Sequence, residues 1–243
     1  LVPLGAFAET LMALQAGDPA GTLRGCNVTV PFKFDSAAAC QHVTPRAALA
    51  QAVNVLSLRD DGLHGDNSDG IGLVHDITAN AGVDLHGRDV LLIGAGGGAA
   101  GVLGPFIEAG ARRIVVANRT LAKAITLVQR HAALALSHQC TIEAQELGTV
   151  DGRFDVIVNA TASSLAGGGV PVPGSVLKPG ALAVDMMYGA AAAGFMDWAR
   201  THDAVPRDGL GMLVEQAAEA FEIWRAVRPP AAQVLAELRV IVG

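Results

Sequence analysis

Residues 89–102 read DVLLIGAGGGAAGV. Four apolar residues follow Asp89 and run straight into a glycine-rich turn, after which small helix-compatible residues resume. A continuous apolar run bounded by glycines marks a strand buried on both faces, as in a parallel sheet. The spacing Gly94-x-Gly96-x-x-Ala99 then has a physical reading. Gly94 permits the tight turn, Gly96 lets a pyrophosphate approach the backbone, and Ala99 is small enough for helix and strand to pack closely. The helix that follows offers free N–H groups and a positive dipole end to an anion. Gly94, Ala95, Gly96, Gly97 and Gly98 are therefore candidate cofactor contacts. Val90 to Ile107 is also an 18-residue stretch without a charge, the length at which a membrane span becomes a candidate. Six glycines and Pro105 interrupt it, and a strand–loop–helix in water explains it better.

Outward from this unit, strand-like and helix-like segments alternate. Strands are predicted over 26–30, 52–58, 89–93, 113–117, 154–158 and 182–185. Helices are predicted over 7–14, 71–81, 98–109, 120–134, 194–202, 210–226 and 230–241. This alternation argues for an α/β protein with a doubly wound parallel sheet of Rossmann type. A smaller α/β domain built from both chain ends is expected beside it. The expected division is 1–69, 70–209 and 210–243, with AGGGVPVPG (166–174) as the one low-complexity loop.

Composition narrows the function classes. The chain has 243 residues, 51% hydrophobic but only 4% aromatic, with 29 glycines. Its net charge of −6 and lack of a basic run argue against a nucleic-acid surface. Cys26, Cys40 and Cys140 are far apart and odd in number, which reads as reduced core thiols of a cytoplasmic protein. The seven histidines show no metal-ligand spacing, so no metal is expected. A small-molecule substrate is, with a monomer or homodimer as the assembly.

The strand after the glycine loop bears on cofactor choice. An NAD site places an acidic residue near its end to bond the ribose hydroxyls. RRIVVANRT (112–120) instead ends in Asn118, Arg119 and Thr120, with Lys123 one turn into the next helix. Two cations and two small polar groups suit a 2′-phosphate and favour NADP. Thr120 by itself would be an ordinary helix cap.

Earlier in the chain, NVTVPFK (27–33) reads as a short strand, with Val28 and Val30 on one face, ended by Pro31. Lys33 then sits just past the strand on stiffened backbone, which suits a reactive amine or an ordinary surface lysine. Asp69 in GDNSDGIG (65–72) has a bland reading too, as the N-cap of the helix that follows. Asn54 stands in the apolar AVNVL (52–56), where an unpaired amide would be costly. Gln216 lies on a helix whose apolar face is read as Leu213, Ala217, Phe221 and Trp224. Met186 and Met212 would pass as core filler.

Taken in order, NVTVPFK, GDNSDGIG, GAGGGAAG, NRT, DMMYG (185–189) and DGLGMLVEQAAEAFEIW (208–224) resemble the shikimate dehydrogenase family over essentially the whole chain. The resemblance implies NADPH-dependent reduction of 3-dehydroshikimate in aromatic amino-acid biosynthesis. It implies a catalytic pair at Lys33 and Asp69, and substrate contacts at Thr29, Asn54, Tyr188 and Gln216. Met186, Gly209 and Met212 match positions lining the nicotinamide side. Rival readings are a quinate/shikimate dehydrogenase with relaxed cofactor use and a catalytically silent NADP-binding module. Three departures stand out. The loop lacks the arginine that many members carry at Ala100, and NSDG replaces NTDG. The family's upstream Ser-x-Ser has no counterpart before Ser36, so about one βα unit is expected to be missing ahead of Leu1.

Overall fold

A computed structural model describes residues 2–3, 5–16, 23–161 and 170–242 of the chain. The first sheet is assembled from short pieces: α1 (Phe7–Ala16), β1 (Gly25–Asn27), α2 (Lys33–Ala39), β2 (His42–Val43), α3 (Pro45–Ala50), β3 (Val55–Arg59) and β4 (Gly62–Asp66). Strand order is β1-β3-β4-β2; β3 runs antiparallel to both neighbours and β2 parallel to β4. The inward residues Leu56 and Leu63 close over Leu11, Val28, Ala47 and Val53. Only a two-residue turn joins β3 to β4, because Arg59 pairs directly with Gly62.

At the end of β4, Asp66 ties this sheet together. Its carboxylate accepts from Arg46 Nε at 2.6 Å, Arg46 Nη2 at 2.7 Å and Thr44 Oγ1 at 2.6 Å. Burial works against its charge, but the Arg46 and Thr44 hydrogen bonds and the Arg46 charge outweigh that and hold the carboxyl below its ordinary value. A depressed carboxylate contributes stability above its unfolded pKa of about 3.9, and loses it as pH falls through the folded value. Asp66→Asn should therefore be less stable than the natural chain near neutrality in urea unfolding. That gap should close as the pH drops below about 4; a gap independent of pH would contradict the assignment.

Beyond β4 come α4 (Asp69–His75) and a π-helical turn, Asp76–Asn80. The rest is a wound sheet: β5 (Asp89–Ile93), α5 (Gly97–Glu108), β6 (Arg113–Asn118), α6 (Leu121–Ser137), β7 (Thr141–Glu146), β8 (Phe154–Asn159), β9 (Leu177–Asp185), α7 (Ala193–Thr201) and β10 (Val205–Arg207). All six strands are parallel, in the order β10-β9-β8-β5-β6-β7. Alternate residues feed two cores. Val90, Leu92, Ile114 and Val116 face one with Leu103, Phe106 and Leu127. Leu91, Ile93, Val115 and Ala117 face the other with Phe195 and Ala199. The chain leaves β5 toward β6 on one side, and β8 pairs on the other. That reversal opens a crevice beyond the carboxyl ends of β5 and β8, where ligands of such sheets bind.

Two last helices, α8 (Leu210–Arg225) and α9 (Ala231–Val242), complete the chain. Small residues bring α4 against its neighbours. A Cβ on Gly70 would fall 2.4 Å from Gly101 O on α5, and one on Gly72 2.6 Å from Gln216 N on α8. The glycines of NSDGIG are thus explained by helix contacts too close for a side chain.

Several expectations need correction. The first strand is Gly25–Asn27, not 26–30: the chain turns after Asn27, and Val30 is 64% exposed rather than sharing an inner face with Val28. The strand expected over 52–58 is Val55–Arg59, and the long helix over 71–81 is the shorter α4 followed by the π turn. Strands β2, β4, β7 and β10 and helices α2 and α3 were not expected. On α8, Leu213 and Phe221 are exposed, while Gly211, Val214, Glu215 and Ala218 are buried. Close packing on α4 selects the small-residue face, and Glu215 is tolerated there because Arg228, His75 and Asn80 reach it. Cys140 is buried, but Cys26 and Cys40 are only partly so; all three are free thiols. The loop 166–174 falls partly outside the described residues. No described helix is long and apolar enough to cross a membrane.

Candidate active site

The crevice between the two sheets is lined by Asn27, Thr29, Lys33, Asn54 and Asp69 on one side and by Gly94–Gly98 on the other, with Asn118, Arg119, Thr120 and Lys123 at one end and Met186, Tyr188, Gly209, Met212 and Gln216 completing it. Every residue singled out in the sequence as a substrate or cofactor contact borders this one cleft.

Its polar centre is built upward from Lys33. Helix α2 begins at Lys33 itself, so the amine is aimed by the first helical residue rather than by a strand end. Its Nζ donates to Asp69 Oδ2 at 2.5 Å, with the two side chains only 12% and 5% exposed. The other carboxylate oxygen, Oδ1, accepts from Asn54 Nδ2 at 2.9 Å. The alternative reading of Asp69 as a helix cap does not hold: Ser68 is the N-cap and Asp69 is the first residue of α4. Its carboxylate is turned to the lysine instead. Asn54 is held by the protein, its Oδ1 accepting from Ser68 N at 2.8 Å. Gln216 Oε1 accepts from Asn54 Nδ2 at 3.2 Å, which carries the network onto α8. Thr29 is exposed at the cleft, and Tyr188 is 45% exposed. Neither side chain has a hydrogen-bond partner among the described residues.

The lysine stem lies over the glycine turn. A Cβ on Gly97 would come 3.4 Å from Lys33 Cβ and 3.6 Å from its Cδ. The amine and the start of α5 therefore share one site, although the sequence separates them by more than sixty residues.

The glycine turn fits a dinucleotide on observable grounds. Gly94 has φ +113°, a conformation L side chains rarely adopt, and a Cβ there would already be tight against Ala160 O at 3.2 Å. A Cβ on Gly96 would meet no protein atom within 4 Å, so the backbone there faces open space. Gly96 is the N-cap of α5 and offers no side-chain cap, leaving the first helical N–H groups to an anion. At the end of β6, Arg119 and Lys123 are exposed and carry no ion pair among the described residues. Thr120 is the N-cap of α6 but makes no side-chain capping bond. Asn118 Nδ2 donates to Thr120 O at 2.9 Å and shapes the turn.

On the far side, Met186 lies against the turn: a Cβ on Gly98 would fall 3.2 Å from its Cε. Gly209 is required for backbone approach, since a Cβ there would come 2.3 Å from Met186 O. Met212 is buried yet still borders the cleft. The sequence reading missed Thr161, whose Oγ1 donates to Asn159 Oδ1 at 2.7 Å while Asn159 Nδ2 donates to Asp185 Oδ2 at 2.9 Å. A polar residue ending each of two adjacent buried strands was the signal that could have found this pair.

Family models match along the chain: "Shikimate dehydrogenase substrate binding domain" over residues 3–56, "Shikimate / quinate 5-dehydrogenase" over 76–166, and "Shikimate 5'-dehydrogenase C-terminal domain" over 209–239. A curated relative from Paracidovorax citrulli, named shikimate dehydrogenase (NADP(+)), is 63% identical over 98% of this chain and 84% of its own length. The chain belongs to the shikimate dehydrogenase family. Two solved structures agree in fold. An Ael1 enzyme from Pseudomonas putida is 38% identical with TM-score 0.85, covering 98% of this chain and 84% of that one. Shikimate 5-dehydrogenase from Thermus thermophilus, in complex with NADP(H) and shikimate, is 27% identical with TM-score 0.81, covering 98% and 85%. The family's fold accounts for the two sheets and for a cleft that draws on residues from both.

Proposed function

We propose that this chain is an NADP-dependent shikimate dehydrogenase, catalysing reversible reduction of 3-dehydroshikimate to shikimate within aromatic amino-acid biosynthesis. The observation that carries this reading is the Lys33–Asp69 pair laid across the glycine N-terminus of α5. Bound NADPH supplies the hydride that reduces the substrate ketone. Gly94, Ala95, Gly96, Gly97 and Gly98 would hold its pyrophosphate, and Met186, Gly209 and Met212 its nicotinamide end. Lys33 Nζ holds a proton at the ketone oxygen and stabilises the negative charge that develops there. Asp69 keeps that ammonium in place and has lone pairs left for a substrate hydroxyl. Thr29, Asn54, Tyr188 and Gln216 surround the same volume and orient the ring. Residues 1–69 and 210–243 form the substrate side and 70–209 the cofactor side. Free thiols fit a cytoplasmic setting, and a monomer or homodimer suffices, since one chain supplies all these residues.

Steady-state oxidation of NADPH with 3-dehydroshikimate tests the proposal. Turnover of another hydroxy acid, with none of shikimate, would refute it. Cofactor choice has its own test. Arg119 and Lys123 stand unpaired where a 2′-phosphate would lie, and a charge-assisted contact is worth roughly 1.5–3 kcal/mol. Arg119→Ala should therefore raise KM for NADP by about 10- to 150-fold and leave that for NAD nearly unchanged. Equal effects on the two cofactors would remove Arg119 from phosphate recognition.

A further inference from the structure

On the outer face of the first sheet, remote in sequence from every cleft residue of α5 and α8, three potential metal ligands converge. His42 on β2 and His64 on β4 are directly paired in parallel register, which places both side chains on one face. Their rings stack with centroids 4.4 Å apart. Asp61 stands in the two-residue turn leading into β4 and points its carboxylate at both rings. Its Oδ1 is 2.8 Å from His64 Nε2 and its Oδ2 is 3.7 Å from His42 Nε2. One ligand atom from each residue lies within 4.8 Å of the others.

We propose that His42, Asp61 and His64 form a binding site for a borderline divalent transition metal ion, with Zn²⁺ as the representative. Ligand bonds of about 2.0–2.2 Å to one tetrahedral ion place donor atoms roughly 3.3–3.6 Å apart. The two Asp61–imidazole separations, 2.8 and 3.7 Å, bracket that range and the third donor pair lies within 4.8 Å, so rotation of the exposed side chains brings all three onto one ion. Two neutral imidazoles and one carboxylate carry a single negative charge and match a dication. Imidazole donors select Zn²⁺, Cu²⁺ or Ni²⁺ over Mg²⁺ and Ca²⁺. Three protein ligands leave a fourth position for water, and side-chain exposures of 52%, 63% and 22% give the ion free entry.

The ion would clamp an edge that is otherwise thinly held. Strand β2 has only two residues, and its neighbours Gln41 and Thr44 supply backbone bonds to Leu63 O and Gly65 O. A metal bridging β2, β4 and the turn adds a link that the unfolded chain lacks, so binding should stabilise the folded state by mass action. None of the three ligands borders the cleft, so the site is separate from the proposed chemistry.

The test uses the full chain stripped with a chelator. Zn²⁺ is titrated at neutral pH by calorimetry, with a chromophoric chelator in competition. One ion per chain is expected, together with a rise in Tm that the same concentration of Mg²⁺ does not produce. His42→Ala, His64→Ala and Asp61→Asn should each weaken binding by at least about 100-fold, the upper end of what loss of an outer-shell partner costs. The zinc-dependent rise in Tm should vanish with it. His42 and Asp61 are exposed enough that their variants keep the fold even if His64→Ala does not. Failure of the natural chain to bind Zn²⁺, or undiminished binding in His42→Ala and Asp61→Asn, would overturn the proposal.

Discussion

Lys33→Ala should lower kcat for shikimate oxidation by about 10²- to 10⁴-fold, the range lost with a positioned acid–base group, while KM changes much less. The amine is nearly buried and bonded to a carboxylate that Asn54 also grips. Its position is therefore fixed before substrate arrives, and little reorganisation is needed when charge develops on the ketone oxygen. An effect confined to the transition state lowers kcat and kcat/KM together. Loss of fold is a separable risk, because the substitution leaves Asp69 buried with one partner fewer. Alanine is a good helix former at the first position of α2, and Tm measured alongside kcat exposes any collapse. Asp69→Asn extends the test: it keeps the Asn54 contact in shape but removes the charge opposite Lys33, so the pH profile of kcat should move. A Lys33→Ala protein that keeps its kcat and loses only affinity would make Lys33 a binding group.

How far the site could be read from residues alone depended on the kind of backbone carrying it. The apolar stretches of β5 and β6 are buried on both faces, so each appears as an unbroken apolar run ending in a distinctive turn. The glycine turn and the Asn118–Lys123 corner followed directly. The first sheet gave no such signal, because β2 has two residues and β4 is GLHGD, half polar and glycine-rich. Its strands are held by Asp66, Arg46 and hairpin register, which leave no periodicity. Helix α8 misled for a different reason. Leu213 borders the cleft and Phe221 is exposed, whereas Gly211 lies against Asp76 and the Gln216 backbone against Gly72, where the chains meet too closely for bulk. Asp69 looked like a cap because helix starts attract aspartate; only the fold shows that Lys33 and Asn54 claim both its oxygens. The His42–Asp61–His64 cluster arises from register across β2 and β4, which spacing along the chain cannot express.

Asp76→Ala should destabilise the protein by about 3–5 kcal/mol, the cost of breaking a buried ion pair by removing one partner. For a chain of this size that is roughly 6–20 °C in Tm. Asp76 is fully buried at the start of the π turn. Its Oδ2 accepts from Arg207 Nε at 2.6 Å and its Oδ1 from Asn80 Nδ2 at 3.1 Å, while Arg207 Nη2 also bonds Oδ1. The hydrogen bonds to Asp76 raise the already high Arg207 pKa. Helix α8 starts directly against this pair: a Cβ on Gly211 would fall 1.8 Å from Asp76 Oδ1. One carboxylate therefore joins the end of α4, the end of β10 and the first turn of α8. Alanine would leave a guanidinium only 18% exposed without its counter-charge, and a cavity beside Gly211. Replacing both partners, as Asp76→Leu with Arg207→Met, should recover much of the loss, because a buried pair exchanged for apolar groups is often close to neutral. Urea unfolding with an unchanged m-value measures both variants on one scale. A cost below about 1 kcal/mol for Asp76→Ala would mean that the α8 contact is held by its packing on Gly72, with the ion pair incidental.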